Sequence, residues 1–83
     1  MLCRARVEVK LKPGHSDPEG ETTAISLREL GYKVKDVSVS KMYTISLDAG
    51  TEKEAEVKLE EICMRLLANP TKDDYRYQVE RAN

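Results

Sequence analysis

The chain has 83 residues, enough for one domain, and a net charge of −1, because 15 acidic residues balance 14 basic ones. Charged residues make up 35% of the sequence, and the hydrophobic 40% contains no Trp and no Phe, so the core must be small and aliphatic. The balanced charge argues against a general nucleic-acid or membrane-surface binder, since both need an excess of Lys and Arg.

Two cysteines and one histidine are too few for a four-ligand zinc site, so we expect no metal. The sequence leaves open a disulfide between Cys3 and Cys63, although two small buried residues in a reducing cytosol are the preferred interpretation. A charged strand pattern starts at the N-terminus without a signal peptide, and no apolar run reaches the roughly 20 residues of a membrane span. We therefore expect a cytoplasmic protein.

The first predicted element is a strand over residues 3–12, where apolar and charged side chains alternate with the period of two typical of a half-buried strand. One face comprises Cys3, Ala5, Val7, Val9 and Leu11, and the other Arg4, Arg6, Glu8, Lys10 and Lys12. Pro13 and Gly14 then end the strand.

A first helix is predicted from Asp17 to about Leu30. Asp17 can accept hydrogen bonds from free N–H groups of the first turn, and Pro18 suits the first helical position because its missing donor costs nothing there. Glu19 favours the positive end of the helix dipole. The predicted buried stripe consists of Ala24, Leu27 and Leu30.

Residues 34–48 predict a β-hairpin. A three-residue turn at 40–42 pairs Val39 with Tyr43 and Val37 with Ile45, which brings the apolar side chains of both strands to one face.

A second helix is predicted from the capping box that Thr51 and Glu54 form. Its apolar stripe gives an amphipathic helix of about four turns and consists of Ala55, Leu59, Ile62, Cys63 and Leu66. Pro70 ends this helix near Asn69. A last strand follows, in which Tyr75, Tyr77 and Val79 alternate with polar residues.

The resulting order predicts an α+β fold: a ferredoxin-like βαββαβ sandwich, with an antiparallel sheet and two helices on one face. Residues 1–83 would form a single domain.

Catalytic interpretations are weak. His15 stands beside Ser16 and Asp17, but a Ser-His-Asp triad is defined by convergence in space, and consecutive residues rarely achieve it. The segment 12–20 precedes a helix N-terminus that could hold a phosphate, yet it matches neither common phosphate-binding glycine motif. RNA binding on the sheet would need exposed aromatic residues, whereas Tyr43, Tyr75 and Tyr77 share the parity of the core valines.

Two segments are more specific: LKPGHSDPEG at residues 11–20, and LLANP at residues 66–70, followed by Asp74 and Tyr75. Together they resemble the PurS-type small subunit of bacterial and archaeal phosphoribosylformylglycinamidine (FGAM) synthase. The resemblance covers essentially the whole chain.

This resemblance implies a non-catalytic subunit of a carbon–nitrogen ligase of de novo purine biosynthesis. In that complex a glutaminase subunit releases ammonia from glutamine, and a large synthetase subunit uses ATP and Mg to convert formylglycinamide ribonucleotide to formylglycinamidine ribonucleotide. The small subunit would form a homodimer or tetramer, bind no cofactor alone and bridge the other two subunits, so that ammonia is not lost to water. The alternative is a stand-alone regulatory module that senses a small molecule.

Under the adaptor interpretation, the two motif segments are hypothetical partner contacts. The residues concerned are Lys12, Pro13, Gly14, His15, Asp17, Pro18, Glu19, Gly20, Leu67, Ala68, Asn69 and Pro70. The structural alternative is that Asp17, Gly20, Asn69 and Pro70 only cap and stop helices.

Overall fold

A computed structural model describes residues 1–82 and has three strands and two helices in the order β-α-β-α-β. The elements are β1 (Leu2–Leu11), α1 (Pro18–Glu29), β2 (Ser40–Asp48), α2 (Glu52–Ile62) and β3 (Asp73–Arg81), with a π-helical turn (Cys63–Leu67) that continues α2. The predicted α+β class, antiparallel sheet and two helices are confirmed. The fourth strand is absent from the described residues.

The sheet has the order β2-β1-β3, and both pairings are antiparallel. The central strand is buried on one side, where Cys3, Ala5 and Val7 are fully inaccessible to solvent. Helix α2 covers this inner face and contributes Leu59, the largest fully buried side chain. The core is therefore small and mostly aliphatic, as the composition indicates.

Both cysteines are free and buried. Cys3 packs with Ala49 and Ala55, whereas Cys63 belongs to the cluster around Leu59. The interpretation of two small core residues is confirmed.

The predicted hairpin is wrong. Residues 40–42 do not turn: they begin β2 and pair with β1, with Lys41 opposite Val9. Residues 32–39 form no strand and extend beyond the end of the sheet. One reason is that a tight turn favours Gly or Asn, and neither occurs at 40–42. A second reason is that Val39 donates its N–H to Asp17 Oδ2 at 2.9 Å, which ties residue 39 to the start of α1.

Helix α1 packs against residues 34–39 and has no extensive contact with the strands of the described residues. Arg28 donates from Nε to Val34 O at 2.9 Å and from Nη2 to Lys35 O at 2.7 Å. Ala24 is buried as predicted, but Leu30 is 73% exposed, so its predicted burial is wrong. The radius of gyration is 16.4 Å, whereas a compact domain of this length has about 12 Å.

The end of α2 also departs from the predicted stripe. Ala68 donates its N–H to Cys63 O, five residues back, which widens the last turn into a π-helix. As a result Leu67 packs against the core, while Leu66 is 81% exposed. The predicted burial of Leu66 is wrong because helical spacing cannot anticipate a π-turn. Within residues 1–82 no helix is long and apolar enough to cross a membrane.

Candidate functional site

The two motif segments lie side by side at one end of the sheet. Leu11 at the end of β1 pairs with Asp73 at the start of β3. Beyond that pair, Lys12 donates its N–H to Lys72 O at 2.7 Å, and its Nζ lies 3.8 Å from Asp74 Oδ1. The antiparallel pairing of β1 and β3 thus joins segments that are about fifty residues apart in sequence.

The first segment starts with a tight turn. His15 donates its N–H to Lys12 O at 3.3 Å, and Gly14 has φ of +89°, in the left-handed region that favours glycine. Pro13, His15 and Ser16 are exposed on this turn. The turn therefore presents side chains to solvent on a defined backbone.

Asp17 has a structural role. Its Oδ1 accepts the N–H of Gly20 at 3.0 Å, which caps α1, and its Oδ2 accepts the N–H of Val39 at 2.9 Å. These two bonds, the one from Gly20 first, hold the pKa of the Asp17 carboxyl below its usual value. Asp17 thus joins the start of α1 to the segment that precedes β2.

Gly20 also has a structural role, because α1 and residues 34–39 meet there. A Cβ on Gly20 would lie 2.3 Å from Val37 O, closer than any side chain permits. Only glycine lets the two backbones approach this closely.

In the second segment, Asn69 organises the loop between α2 and β3. Its Oδ1 accepts the N–H of Thr71 at 2.9 Å, and its carbonyl oxygen accepts the N–H groups of Lys72 and Asp73. The N–H of Asn69 in turn donates to Asp73 Oδ2 at 2.8 Å. Ala68 belongs to the core and Leu67 packs against it. Of the predicted contact residues in this segment, Pro70 is therefore the exposed one that neither packs in the core nor holds the loop.

The hypothetical contact residues therefore fall into two groups. Those that build the site are Gly14, Asp17, Gly20, Leu67, Ala68 and Asn69. Those that present exposed side chains are Pro13, His15, Pro18, Glu19 and Pro70, with Lys12 half-buried beside Asp74. Leu66, whose exposure the sequence did not indicate, extends this second group.

A cleft of about 570 Å³ lies between the first segment and the outer face of the sheet. Its charges largely compensate one another. Glu8 Oε1 accepts from Arg76 Nε at 2.8 Å, and its Oε2 accepts from Ser40 Oγ at 3.0 Å. The Ser40 bond, more than Arg76, holds the pKa of Glu8 below its usual value. Small-molecule pockets are enclosed and have few charged groups, so this open cleft with its many charged residues does not favour the sensor interpretation.

In the part of the chain that the structure describes, neither a catalytic triad nor an aromatic platform for base stacking forms. Asp17 gives both carboxylate oxygens to backbone N–H groups, while His15 and Ser16 are exposed on the turn. Across residues 1–82 there is no group of three or more His, Cys, Asp or Glu residues that could hold a metal ion. Tyr75 faces the core and donates its hydroxyl to Glu60 Oε1 at 2.7 Å, in agreement with its strand parity.

Known proteins resemble this chain in sequence and in fold. Residues 4–81 match the family model PurS, phosphoribosylformylglycinamidine (FGAM) synthase. The phosphoribosylformylglycinamidine synthase subunit PurS of Archaeoglobus fulgidus is 47% identical over 72 residues, which cover 86% of this chain and 90% of that protein.

Two solved structures show the same fold over nearly the full length of the chain. Methanocaldococcus jannaschii PurS has a TM-score of 0.85 at 39% identity and covers 98% of this chain and 99% of its own. A chain of PurLQS from Thermotoga maritima has a TM-score of 0.87 at 27% identity and covers 96% of this chain and 99% of its own. The chain described here therefore belongs to the PurS family of FGAM synthase subunits.

Proposed function

We propose that this PurS subunit of FGAM synthase, an enzyme of purine biosynthesis that uses ATP and glutamine, acts as a non-catalytic adaptor. It would bridge the glutaminase and synthetase subunits and support the transfer of ammonia between them. The observation that carries this proposal is the match, over almost the entire chain, to a protein of the PurLQS complex. An adaptor needs exposed contact segments and no reactive centre.

The contact segments would be Lys12–Gly20 and Leu66–Pro70. Their adjacency at the sheet end supports this, because one partner surface could touch both. His15 and Pro70 are exposed there, and the backbone beneath them is held by Asp17 and Asn69. A preorganised loop loses little conformational entropy when it binds.

Self-association is the second part of the proposal, and it is supported by the separation of residues 34–39 from β2. Residues 34–39 retain the valines of a strand but lie beyond the sheet of their own chain. In a second copy they could pair along β2, whose outer edge no described strand occupies. Each chain would then complete the other's hairpin, which is a domain exchange.

The surface of α1 supports the same dimer. Ile25, Leu30 and Tyr32 are more than half exposed, and Leu27 and Val34 are only half-buried. The molecule is thin, with extents of 51 × 28 × 14 Å, and the sheet of the same chain does not cover these side chains. The exchange would place α1 of one copy over the sheet of the other and bury them.

The exchange can be tested at the hinge. Insertion of Asn-Gly between Val39 and Ser40 supplies the missing turn and should let residues 34–39 fold back on β2 of their own chain. Light scattering should then report monomers, whereas the same insertion after Gly14 should leave the oligomer intact. A hinge variant that keeps the wild-type mass would contradict the exchange.

The adaptor role is tested by reconstitution of the synthetase and the glutaminase with and without this chain. Without it, ammonia-dependent synthesis should persist, whereas glutamine-dependent synthesis should be lost. Full glutamine-dependent turnover without the chain would refute the bridge. Saturable binding of a metabolite to the chain alone, without effect on the two enzymes, would favour the sensor alternative.

A further inference from the structure

The outer face of the sheet carries side chains that the fold does not use. It lies opposite α2, and the alternation of the strands sends polar residues outward from all three strands. Its charged members are the basic residues Arg4, Arg6, Lys10 and Arg76 and the acidic residues Glu8, Asp48, Asp74 and Glu80, of which Asp48 lies at the end of β2 opposite Leu2.

At three positions of this face, a residue of β1 lies opposite a residue of β3 that carries the opposite charge. Arg4 lies opposite Glu80, Glu8 opposite Arg76, and Lys10 opposite Asp74. Cross-strand pairs of this kind compensate each other within the sheet.

Arg6 is the exception, because it has no charged residue opposite it on either neighbouring strand. Its neighbours are Thr44 on β2 and Gln78 on β3, and both are uncharged. No carboxylate of residues 1–82 lies within ion-pair distance of the Arg6 guanidinium. Arg76, on the diagonal from Arg6, uses Nε for Glu8 and is 80% exposed, which leaves its terminal nitrogens to solvent. Two guanidinium groups with free donors therefore stand at the centre of the face.

We infer that this face docks an extended acidic segment of a partner subunit of the complex, with a carboxylate held by Arg6 and Arg76. This inference rests on the adaptor role proposed above. A shallow depression of about 350 Å³ lies here and is lined by Arg6, Glu8, Met42, Arg76, Tyr77 and Gln78. Glu8 already accepts from Arg76 Nε, so the terminal nitrogens of Arg76 and the whole Arg6 guanidinium are the donors left for a partner carboxylate. Arginine binds a carboxylate through two parallel hydrogen bonds, Met42 offers an exposed apolar contact, and Gln78 can pair with a backbone amide.

Between the two sides of the molecule, the charges favour this one for an acidic segment, because Arg6 has no charged cross-strand neighbour here. The other side of the molecule is formed by α2, which carries five Glu residues and two Lys residues and would repel carboxylates. A nucleic acid fits the sheet side less well. Glu8, Asp48, Asp74 and Glu80 interrupt the basic residues, and the aromatic residues of the three described strands have the inward parity, so they are not placed for base stacking.

The size of the face favours a segment over a second copy of the chain. Three strands about 4.8 Å apart and about 30 Å long present roughly 400 Å², about half of what each partner contributes to a standard interface. Strand addition at the edge of β2, as in the exchanged dimer, would leave this face open.

Charge reversal at Arg6 tests the inference in the reconstituted complex. Arg6→Glu should weaken binding of the partner subunits at least about tenfold, because it removes a charge-assisted pair and adds repulsion. Lys53→Glu is the matched control, since it makes the same charge change on the exposed face of α2, away from both contact segments, and should bind like the wild type. Arg6→Gln tests whether loss of the cation alone weakens binding, should Arg6→Glu disturb the central strand.

The outcomes separate the alternatives. Arg6→Glu and Arg6→Gln variants that are folded by circular dichroism and bind like Lys53→Glu would overturn the inference. So would a change of oligomer mass in these variants, which would identify a second copy as the occupant, or Arg6-dependent binding of a single-stranded RNA oligonucleotide. Wild-type chain that binds neither subunit would instead refute the adaptor role itself.

Discussion

Leu66 and Leu67 are adjacent in sequence but lie on opposite sides of the end of α2. Leu67 packs against the core cluster, whereas Leu66 is 81% exposed next to the second contact segment. The cause is the π-turn closed by the bond from Ala68 N–H to Cys63 O, which shifts the inward position by one residue.

This arrangement predicts different roles for the two leucines. Leu67→Ala should lower the free energy of unfolding by about 1–2 kcal/mol, since it removes half-buried apolar surface and leaves a cavity. Leu66→Ala should change it by less than about 0.5 kcal/mol and should instead weaken partner binding. Urea unfolding of both variants checks the prediction, and equal losses of stability would contradict the π-turn register.

At Gly20, where α1 meets residues 34–39, we expect any added side chain to cause a steric clash. Gly20→Ala places a Cβ 2.3 Å from Val37 O and should destabilise the protein by about 1–3 kcal/mol through forced separation of the two segments. Gly50→Ala is the control, because its Cβ meets only the flexible end of Glu54. Thermal unfolding should show a marked drop in Tm for the first variant and little change for the second.

Asp17 predicts an acid-sensitive link between α1 and residue 39. Its pKa is lowered in the folded protein, so its contribution is present above the ordinary value of 3.8 and is lost as the pH falls below it. Asp17→Asn lacks a second acceptor oxygen and should be less stable at neutral pH. Between about pH 5 and 2.5, the interval in which Asp side chains ordinarily titrate, the stability of this variant should also decline less than that of the wild type. Parallel pH profiles would argue against this role.

Glu60 and Tyr75 predict a late tyrosine titration. The hydrogen bond from the Tyr75 hydroxyl to Glu60 raises the pKa of Tyr75 to about 12. The raised value means that this stabilisation is present below pH 10 and is lost as the pH rises toward 12. Glu60→Gln should lower the pKa of Tyr75, which NMR titration of the tyrosine ring can follow. An unchanged Tyr75 titration would show that the bond does not persist in solution.

Substitutions in the first contact segment, Lys12–Gly20, should impair the function of the complex without lowering the stability of this chain. Lys12→Ala combined with His15→Ala removes an exposed surface ion pair and an exposed ring, which should cost little stability. Glutamine-dependent turnover of the reconstituted complex should fall, while ammonia-dependent turnover should persist. Lys53→Ala, on the exposed face of α2, serves as the control. Intact assembly with unchanged glutamine-dependent turnover would remove this segment from the proposed interface.

The sequence by itself determined the local elements of this protein. Alternation in residues 3–12 defined the central strand, Asp17 and Thr51 marked the helix starts through their caps, and tyrosine parity placed Tyr75 and Tyr77 inward. These features depend on interactions among near neighbours, which spacing and capping residues report directly. The paired motifs of residues 11–20 and 66–70 also led correctly to the family.

Only the tertiary structure decided where those elements go. Residues 34–39 lie apart from β2, where the N–H of Val39 donates to Asp17, 22 residues earlier in the sequence. The π-turn moved Leu66 outward, and the pairing of β1 with β3 brought Lys12 beside Lys72. Each of these outcomes depends on a hydrogen bond or backbone contact that the local pattern of side chains does not encode.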